Sequence, residues 1–112
     1  MGTLDYGAVG NCRTATIISN EGSVDWFCFP DFDSPAIFAK ILDKKKGGSL
    51  EFITGKDCLI SQKYVEHTNI LCTTYDMKEG AFEVLDFMPR YKIGEFNSHY
   101  LPPELYRLIR LK

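Results

Sequence analysis

Short apolar segments separated by turn-forming residues are the sequence feature that most limits the fold of this chain. Residues 14–19 are β-branched and apolar, residues 20–22 supply a turn, and residues 23–29 are apolar again, which predicts a β-hairpin. Residues 69–75 and 81–87 repeat the pattern around a polar turn. Parallel strands would need crossover helices that this sequence lacks, so the pairing is expected to be antiparallel.

The remaining segments complete a prediction of a mainly β fold. Residues 49–54, 59–64 and 105–111 are expected to form further strands, and residues 91–103 one long loop. One short helix is predicted to begin at Ser34, with Pro35 in its first turn. Its apolar face would comprise Ile37, Phe38, Ile41 and Leu42. The predicted architecture is an antiparallel β-sandwich with one short helix, and residues 1–112 are expected to be a single domain or part of one.

Composition excludes several classes of function. Thirteen basic and fifteen acidic residues leave a net charge of -2, so the composition gives no excess of positive charge for binding nucleic acid. The chain has no signal sequence and no apolar run long enough to span a bilayer, so we expect a cytoplasmic protein with no membrane partner. Its four widely spaced cysteines are expected to be buried free thiols, and neither they nor the two histidines have the spacing of metal ligands. No metal or cofactor is therefore predicted.

Three segments, in order along the chain, resemble a known family. The first reads DYGAVGNCRTAT at residues 5–16 and continues through GSVDW at residues 22–26 to FDSP at residues 32–35. The second reads VLDFMPR at residues 84–90, and the third reads PPELYRLIR at residues 102–110. Together they are similar to the N-terminal domain of glycoside hydrolase family 15, which contains glucoamylases, glucodextranases and bacterial or archaeal trehalases.

This resemblance implies a fold, a partner and a function. In the family the N-terminal domain is a large antiparallel β-sandwich, or supersandwich, followed by an (α/α)6 barrel that carries two catalytic glutamates. The chain is expected to end before that barrel, so no catalytic residue is assigned to it. It would then be the N-terminal structural domain of an inverting α-glucoside hydrolase, glucoamylase-like or trehalase-like. Its partner would be the C-terminal barrel, and the α-glucoside substrate would be trehalose or a malto-oligosaccharide.

Four residues in the first segment are candidates for substrate binding or interdomain contact. Trp26 beside Asp25 could form a sugar platform, in which a ring face stacks on the pyranose and carboxylates accept hydroxyl protons. The alternative, which we favour, places Trp26 in the core. Asp33 could equally belong to the turn before Ser34. Arg13 is expected to pair with Asp25 or Asp33.

Two other classes of function remain open. A freestanding carbohydrate-binding module would expose coplanar rings among Trp26, Tyr64, Tyr75 and Tyr91, whereas a structural or oligomerising β domain would hide them. If residues 105–111 form a strand at the edge of a sheet, its unpaired backbone groups would favour self-association.

Overall fold

The computed structural model describes residues 5–93 and 98–112, which contain β-strands and turns. Within this part of the chain there is no helix, and thus no helix able to cross a membrane. The ten strands of the described residues are β1 (Tyr6–Gly10), β2 (Ala15–Ser19), β3 (Val24–Cys28), β4 (Ala36–Phe38), β5 (Leu59–Tyr64), β6 (Leu71–Met77), β7 (Gly80–Phe87), β8 (Tyr91–Ile93), β9 (Ser98–Tyr100) and β10 (Tyr106–Leu111).

The strands form two four-stranded sheets and a small hairpin, with antiparallel pairing throughout. The first sheet has the order β1-β2-β3-β4, the second has the order β10-β7-β6-β5, and β8 pairs with β9. The core lies between the two large sheets. Its buried members come from both of them and from the segment after β7: Val9, Ile18, Val24, Phe27, Leu71 and Met88. This arrangement confirms the predicted antiparallel β-sandwich.

Both predicted hairpins are present. β2 and β3 enclose the turn at residues 20–22, where Gly22 has a φ of 82°, a conformation that favours glycine. A Cβ at Gly22 would lie 1.9 Å from the hydroxyl oxygen of Tyr75, so the turn also needs a residue without a side chain for packing. The second hairpin, β6 and β7, has a tighter turn than predicted because Met77 and Gly80 already pair.

The predicted helix near Ser34 is wrong. Residues 36–38 form β4, which pairs with β3, and the chain then turns back on itself. One helical turn closes where the Asp43 amide donates to the Ala39 carbonyl at 3.1 Å, but the Ala39 amide donates to the Gly47 carbonyl at 2.8 Å. These bonds across the turn replace a continuous helical ladder. The apolar spacing that suggested a helix leaves Ile37 and Leu42 exposed.

Other departures lie in segments of weak local preference. Residues 49–54 are not a strand and contribute only an isolated bridge between Leu50 and Val24. β5 therefore pairs with β6 instead of with this segment. The loop expected over residues 91–103 contains the β8–β9 hairpin, and its residues 94–97 lie outside the described part of the chain. The opening segment forms β1, which pairs with β2.

All four cysteines are free, as predicted, but they are not all buried. Cys28 and Cys72 are buried, whereas Cys58 is partly exposed and Cys12 is exposed. Cys12 occupies the loop between β1 and β2, outside the paired strands, and has a φ of 74°.

Candidate functional site

Asn11 connects the three segments that carry the family resemblance. Its side chain is fully buried, and its Nδ2 donates to the carbonyl of Pro102 at 2.7 Å and to that of Pro89 at 3.3 Å. Its Oδ1 accepts the backbone amides of Arg13 and Thr14. One buried amide thus satisfies four backbone groups and holds the first segment against the second and third.

Arg13 lies beside Asn11 and pairs with a different residue from the two that we expected. Its Nε donates to Asp31 Oδ1 at 2.8 Å, and its Nη1 donates to the carbonyl of Leu101 at 3.1 Å. The backbone amide of Phe32 also donates to the Arg13 carbonyl. The prediction of a pair with Asp25 or Asp33 is therefore wrong, and Asp31, to which no role was assigned, is the partner. Both side chains of this pair are partly exposed.

Asp25 is buried and its carboxylate is held by two hydroxyls. Ser23 Oγ donates to Oδ1 at 2.5 Å, and the Tyr6 hydroxyl donates to Oδ2 at 3.1 Å. Burial, followed by the hydrogen bond to Asp25, raises the pKa of Tyr6 above its ordinary value. These contacts connect β1 to β3, which is a structural role for the carboxylate.

Trp26 and Asp33 occupy separate positions. Trp26 is half-buried on β3 opposite Ile17. The register shift between β2 and β3 leaves Asp25 without a partner on β2, so Val24 and Phe27 both face the core while Trp26 lies on the other face. The expectation that Trp26 belongs to the buried core is wrong. Asp33 is exposed in the turn between β3 and β4, which is closed by the Ser34 amide donating to the Asp31 carbonyl at 3.1 Å.

The structure does not bring the four candidates together as one site. Within the described residues, Arg13 bonds at one end of the first sheet, Asp25 bonds to Tyr6 of β1 and to Ser23 just before β3, and Trp26 lies on the other face of that sheet from the core. One open groove of about 450 Å³ is lined by Asp5, Tyr6, Asn20, Ile60 and Gln62, and includes none of the four candidates. In the part of the chain that the structure describes, no three His, Cys, Asp or Glu side chains meet as metal ligands.

Among the described residues, the most buried ion pair is one that the sequence analysis did not predict. Arg107 Nε donates to Asp86 Oδ1 at 2.7 Å and Nη2 donates to Oδ2 at 3.2 Å, and the two side chains are 8% and 0% exposed. The guanidinium also donates to the carbonyls of Leu50 and Gly22, and lies 5.0 Å above the ring of Phe52. Desolvation, partly offset by the bonds to Arg107, raises the pKa of Asp86. Both residues fall within the segments that resemble the family, and this was the one sign in the sequence that could have identified the pair.

Comparison with known proteins identifies the family. Residues 5–98 match the family model described as "Trehalase-like, N-terminal". The chain belongs to this family. The match covers most of the chain and confirms the resemblance to the N-terminal domain of the family 15 glycoside hydrolases.

The relatives of this trehalase-like N-terminal domain are much longer proteins. The chain is 37% identical over 108 residues to the trehalase of Thermoplasma volcanium, covering 93% of this chain and 16% of the relative. It is 41% identical over 86 residues to trehalase 2 of Sulfolobus acidocaldarius, covering 77% and 14%. For the trehalase of Mycolicibacterium smegmatis the identity is 37% over 82 residues, covering 73% and 12%. No solved structure matches the chain significantly.

Proposed function

We propose that this chain is the N-terminal structural domain of a trehalase and supports a catalytic (α/α)6 barrel that contains the active site. The observation that carries the proposal is the match of residues 5–98 to the trehalase-like N-terminal family, together with relatives named trehalases. The chain spans only 12–16% of the length of these relatives, which leaves room for a catalytic domain. Trehalose is the proposed substrate of the whole protein, and four free cysteines suit the proposed cytoplasmic location.

The buried carboxylates of the chain support a structural role. Inverting glycosidases need two carboxyl groups about 6.5–9.5 Å apart that face a substrate cavity. Here Asp86 is bonded to Arg107, and Asp25 is bonded to two hydroxyls. Glu83, the third buried carboxylate of the described residues, is bonded to Arg110. Groups that are committed to structural bonds are poorly placed to transfer protons to a sugar.

The first test is the activity of the chain alone. Purified chain is incubated with trehalose, maltose and an aryl α-glucoside, and glucose is measured. We expect no release. Glucose release that survives repurification, and that disappears when one carboxylate of this chain is substituted, would refute the proposal.

The second test replaces the aligned segment of the Thermoplasma volcanium trehalase with this chain. The chimera should be soluble and hydrolyse trehalose, whereas deletion of the segment should abolish activity. A matched chimera carrying Asn11→Leu should have a lower thermal midpoint, because it leaves the carbonyls of Pro89 and Pro102 without their donor. A folded but inactive chimera would contradict the supporting role.

A freestanding carbohydrate-binding module is a second candidate, favoured by one pair of rings. Tyr91 and Tyr100 stack with centroids 6.1 Å apart, and both are about half-exposed. In contrast, Tyr75 is fully buried, and the exposed Tyr64 uses its hydroxyl to bond the backbone of Ala8. Calorimetric titration with malto-oligosaccharides tests this alternative. Binding that Tyr91→Ala removes would support it, and the absence of binding heat would reject it.

A further inference from the structure

The free edge of β10 presents backbone groups in a defined pattern. Among the described residues β10 pairs only with β7, so its opposite edge is open. The Lys112 amide donates to the Ala81 carbonyl at 3.0 Å, which fixes the phase of the antiparallel ladder. Alternation then directs the amide and carbonyl groups of Arg107, Ile109 and Leu111 toward the open edge.

The side chains along this edge are apolar and uncovered. Leu108 and Ile109 are each 53% exposed, and Leu111 is 83% exposed. Ile109 lies opposite the fully buried Val84 and shares a strand face with Arg107, which bonds Gly22 of the β2–β3 turn, so it belongs to the face of the sheet that packs inside the sandwich. In residues 5–93 and 98–112 the edge therefore has neither apolar cover nor hydrogen-bond partners, and an added β-strand would supply both.

Another edge of the sandwich is already protected. On β1, the amide of Ala8 donates to the Tyr64 hydroxyl at 2.9 Å, and that hydroxyl donates back to the Ala8 carbonyl at 3.0 Å. A side chain of the second sheet thus satisfies the outward groups of Ala8, at the centre of this first-sheet strand. β10 has no comparable cover in the described part of the chain.

The charged residues of β10 do not prevent a second strand from pairing with it. Natural edge strands often carry free charges that repel a second strand. Arg110 bonds the carboxylate of Glu83, and Lys112 Nζ lies 3.7 Å from Glu83 Oε2. Arg107 is fully engaged with Asp86. Two carboxylates, those of Asp86 and Glu83, therefore offset most of the positive charge that the strand and Lys112 carry.

We propose that β10 pairs antiparallel with β10 of a second copy of this chain, about a two-fold axis at Ile109. The backbone amide and carbonyl of Ile109 both face the open edge. On the two-fold axis, Ile109 of one copy therefore forms a hydrogen-bonded pair with Ile109 of the other copy. Arg107 then lies opposite Leu111, and Leu108 lies opposite Arg110, so no like charges face each other directly. The two four-stranded sheets become one continuous sheet. This inference is independent of the proposed function.

Amide hydrogen exchange of the 112-residue chain tests the geometry across a series of protein concentrations, alongside sedimentation. The amides of Leu108 and Arg110 should be protected at every concentration because they bond β7. The amides of Arg107, Ile109 and Leu111 should gain protection together as dimer forms. A monomer at high concentration, or a dimer in which this alternation is missing, overturns the proposal.

Two substitutions of equally exposed isoleucines locate the contact. Ile109→Lys places two lysines at the two-fold axis and should weaken the dimer roughly tenfold or more. Ile37→Lys is the matched control, because Ile37 is 52% exposed on β4 of the other sheet. It should leave the dimer unchanged. Dissociation by Ile37→Lys but not by Ile109→Lys would place the interface elsewhere and refute the β10 pairing.

Discussion

The guanidinium of Arg107 on β10 holds the carboxylate of Asp86 on β7 through two hydrogen bonds, and the same group bonds the carbonyl of Gly22 in the β2–β3 turn. One side chain thereby joins the edge strand of the second sheet to the first sheet. Both charges are almost fully buried, so their pairing and their additional hydrogen bonds are needed to offset desolvation.

Removing one partner of this pair should be strongly destabilising. We expect Arg107→Met to lower the free energy of unfolding by about 3–5 kcal/mol, because it leaves Asp86 buried without its counter-ion. Urea titration of Arg107→Met, Asp86→Asn and the double variant measures the coupling between the two residues. Asp31→Asn is the control and should cost less than about 1 kcal/mol, because the Arg13–Asp31 pair is partly exposed. Equal losses at both sites would contradict this prediction.

Gly22→Ala should destabilise the β2–β3 hairpin by more than about 1 kcal/mol, because it combines a positive φ with steric conflict. The new Cβ would collide with the Tyr75 hydroxyl, which bonds the carbonyl of Glu21 at 2.7 Å. Gly55→Ala is a matched control, since a Cβ there meets nothing within 4 Å. Thermal unfolding followed by circular dichroism compares the two. Similar midpoints would show that the turn tolerates a side chain.

Thr16→Val should stabilise the protein by about 1 kcal/mol. Thr16 is fully buried, and within the described residues its Oγ1 has no hydrogen-bond partner, so valine removes an unsatisfied hydroxyl at almost constant volume. Thr14→Val is the control and should have the opposite sign, because the Thr14 hydroxyl donates to the carbonyl of Cys28 at 2.6 Å. Chemical denaturation gives both values. A loss of stability in Thr16→Val would indicate that the hydroxyl is satisfied in solution.

Glu83 should make the stability of the domain depend on pH in the acid range. The hydrogen bond from Arg110 lowers the pKa of Glu83 below its ordinary value of 4.5, with further lowering from Cys72 and Lys112. A carboxyl whose pKa is lower in the folded state stabilises the fold above its unfolded pKa, and this stabilisation disappears as the pH falls through the folded value. The stability difference between the natural chain and Glu83→Gln should therefore shrink below pH 4.5. A difference that stays constant to pH 3 would contradict this mechanism.

The sequence predicted the hairpins because their determinants are local. Residues 14–19 are β-branched and apolar, and residues 23–29 are mainly apolar, on the two sides of a turn whose Gly22 adopts a positive φ. The segment beginning at Ser34 was mispredicted for a related reason. Its apolar spacing suited a helix, but β4 gains a strand partner in β3, and its turn is closed by bonds such as that from Ala39 to Gly47. Tertiary pairing overrode the local pattern.

The sequence by itself determined the β class of the fold, the principal hairpins and the family, because these depend on residue type and order over short segments. The tertiary structure decided which polar groups meet. Asn11 bonds Pro102, 91 positions away, and Arg107 bonds Asp86, 21 positions away. The partner of Arg13 was likewise decided by folding, since it bonds Asp31 and not the two aspartates expected. Such pairs depend on strand register and sheet packing, which bring distant residues together in a way that no short segment encodes.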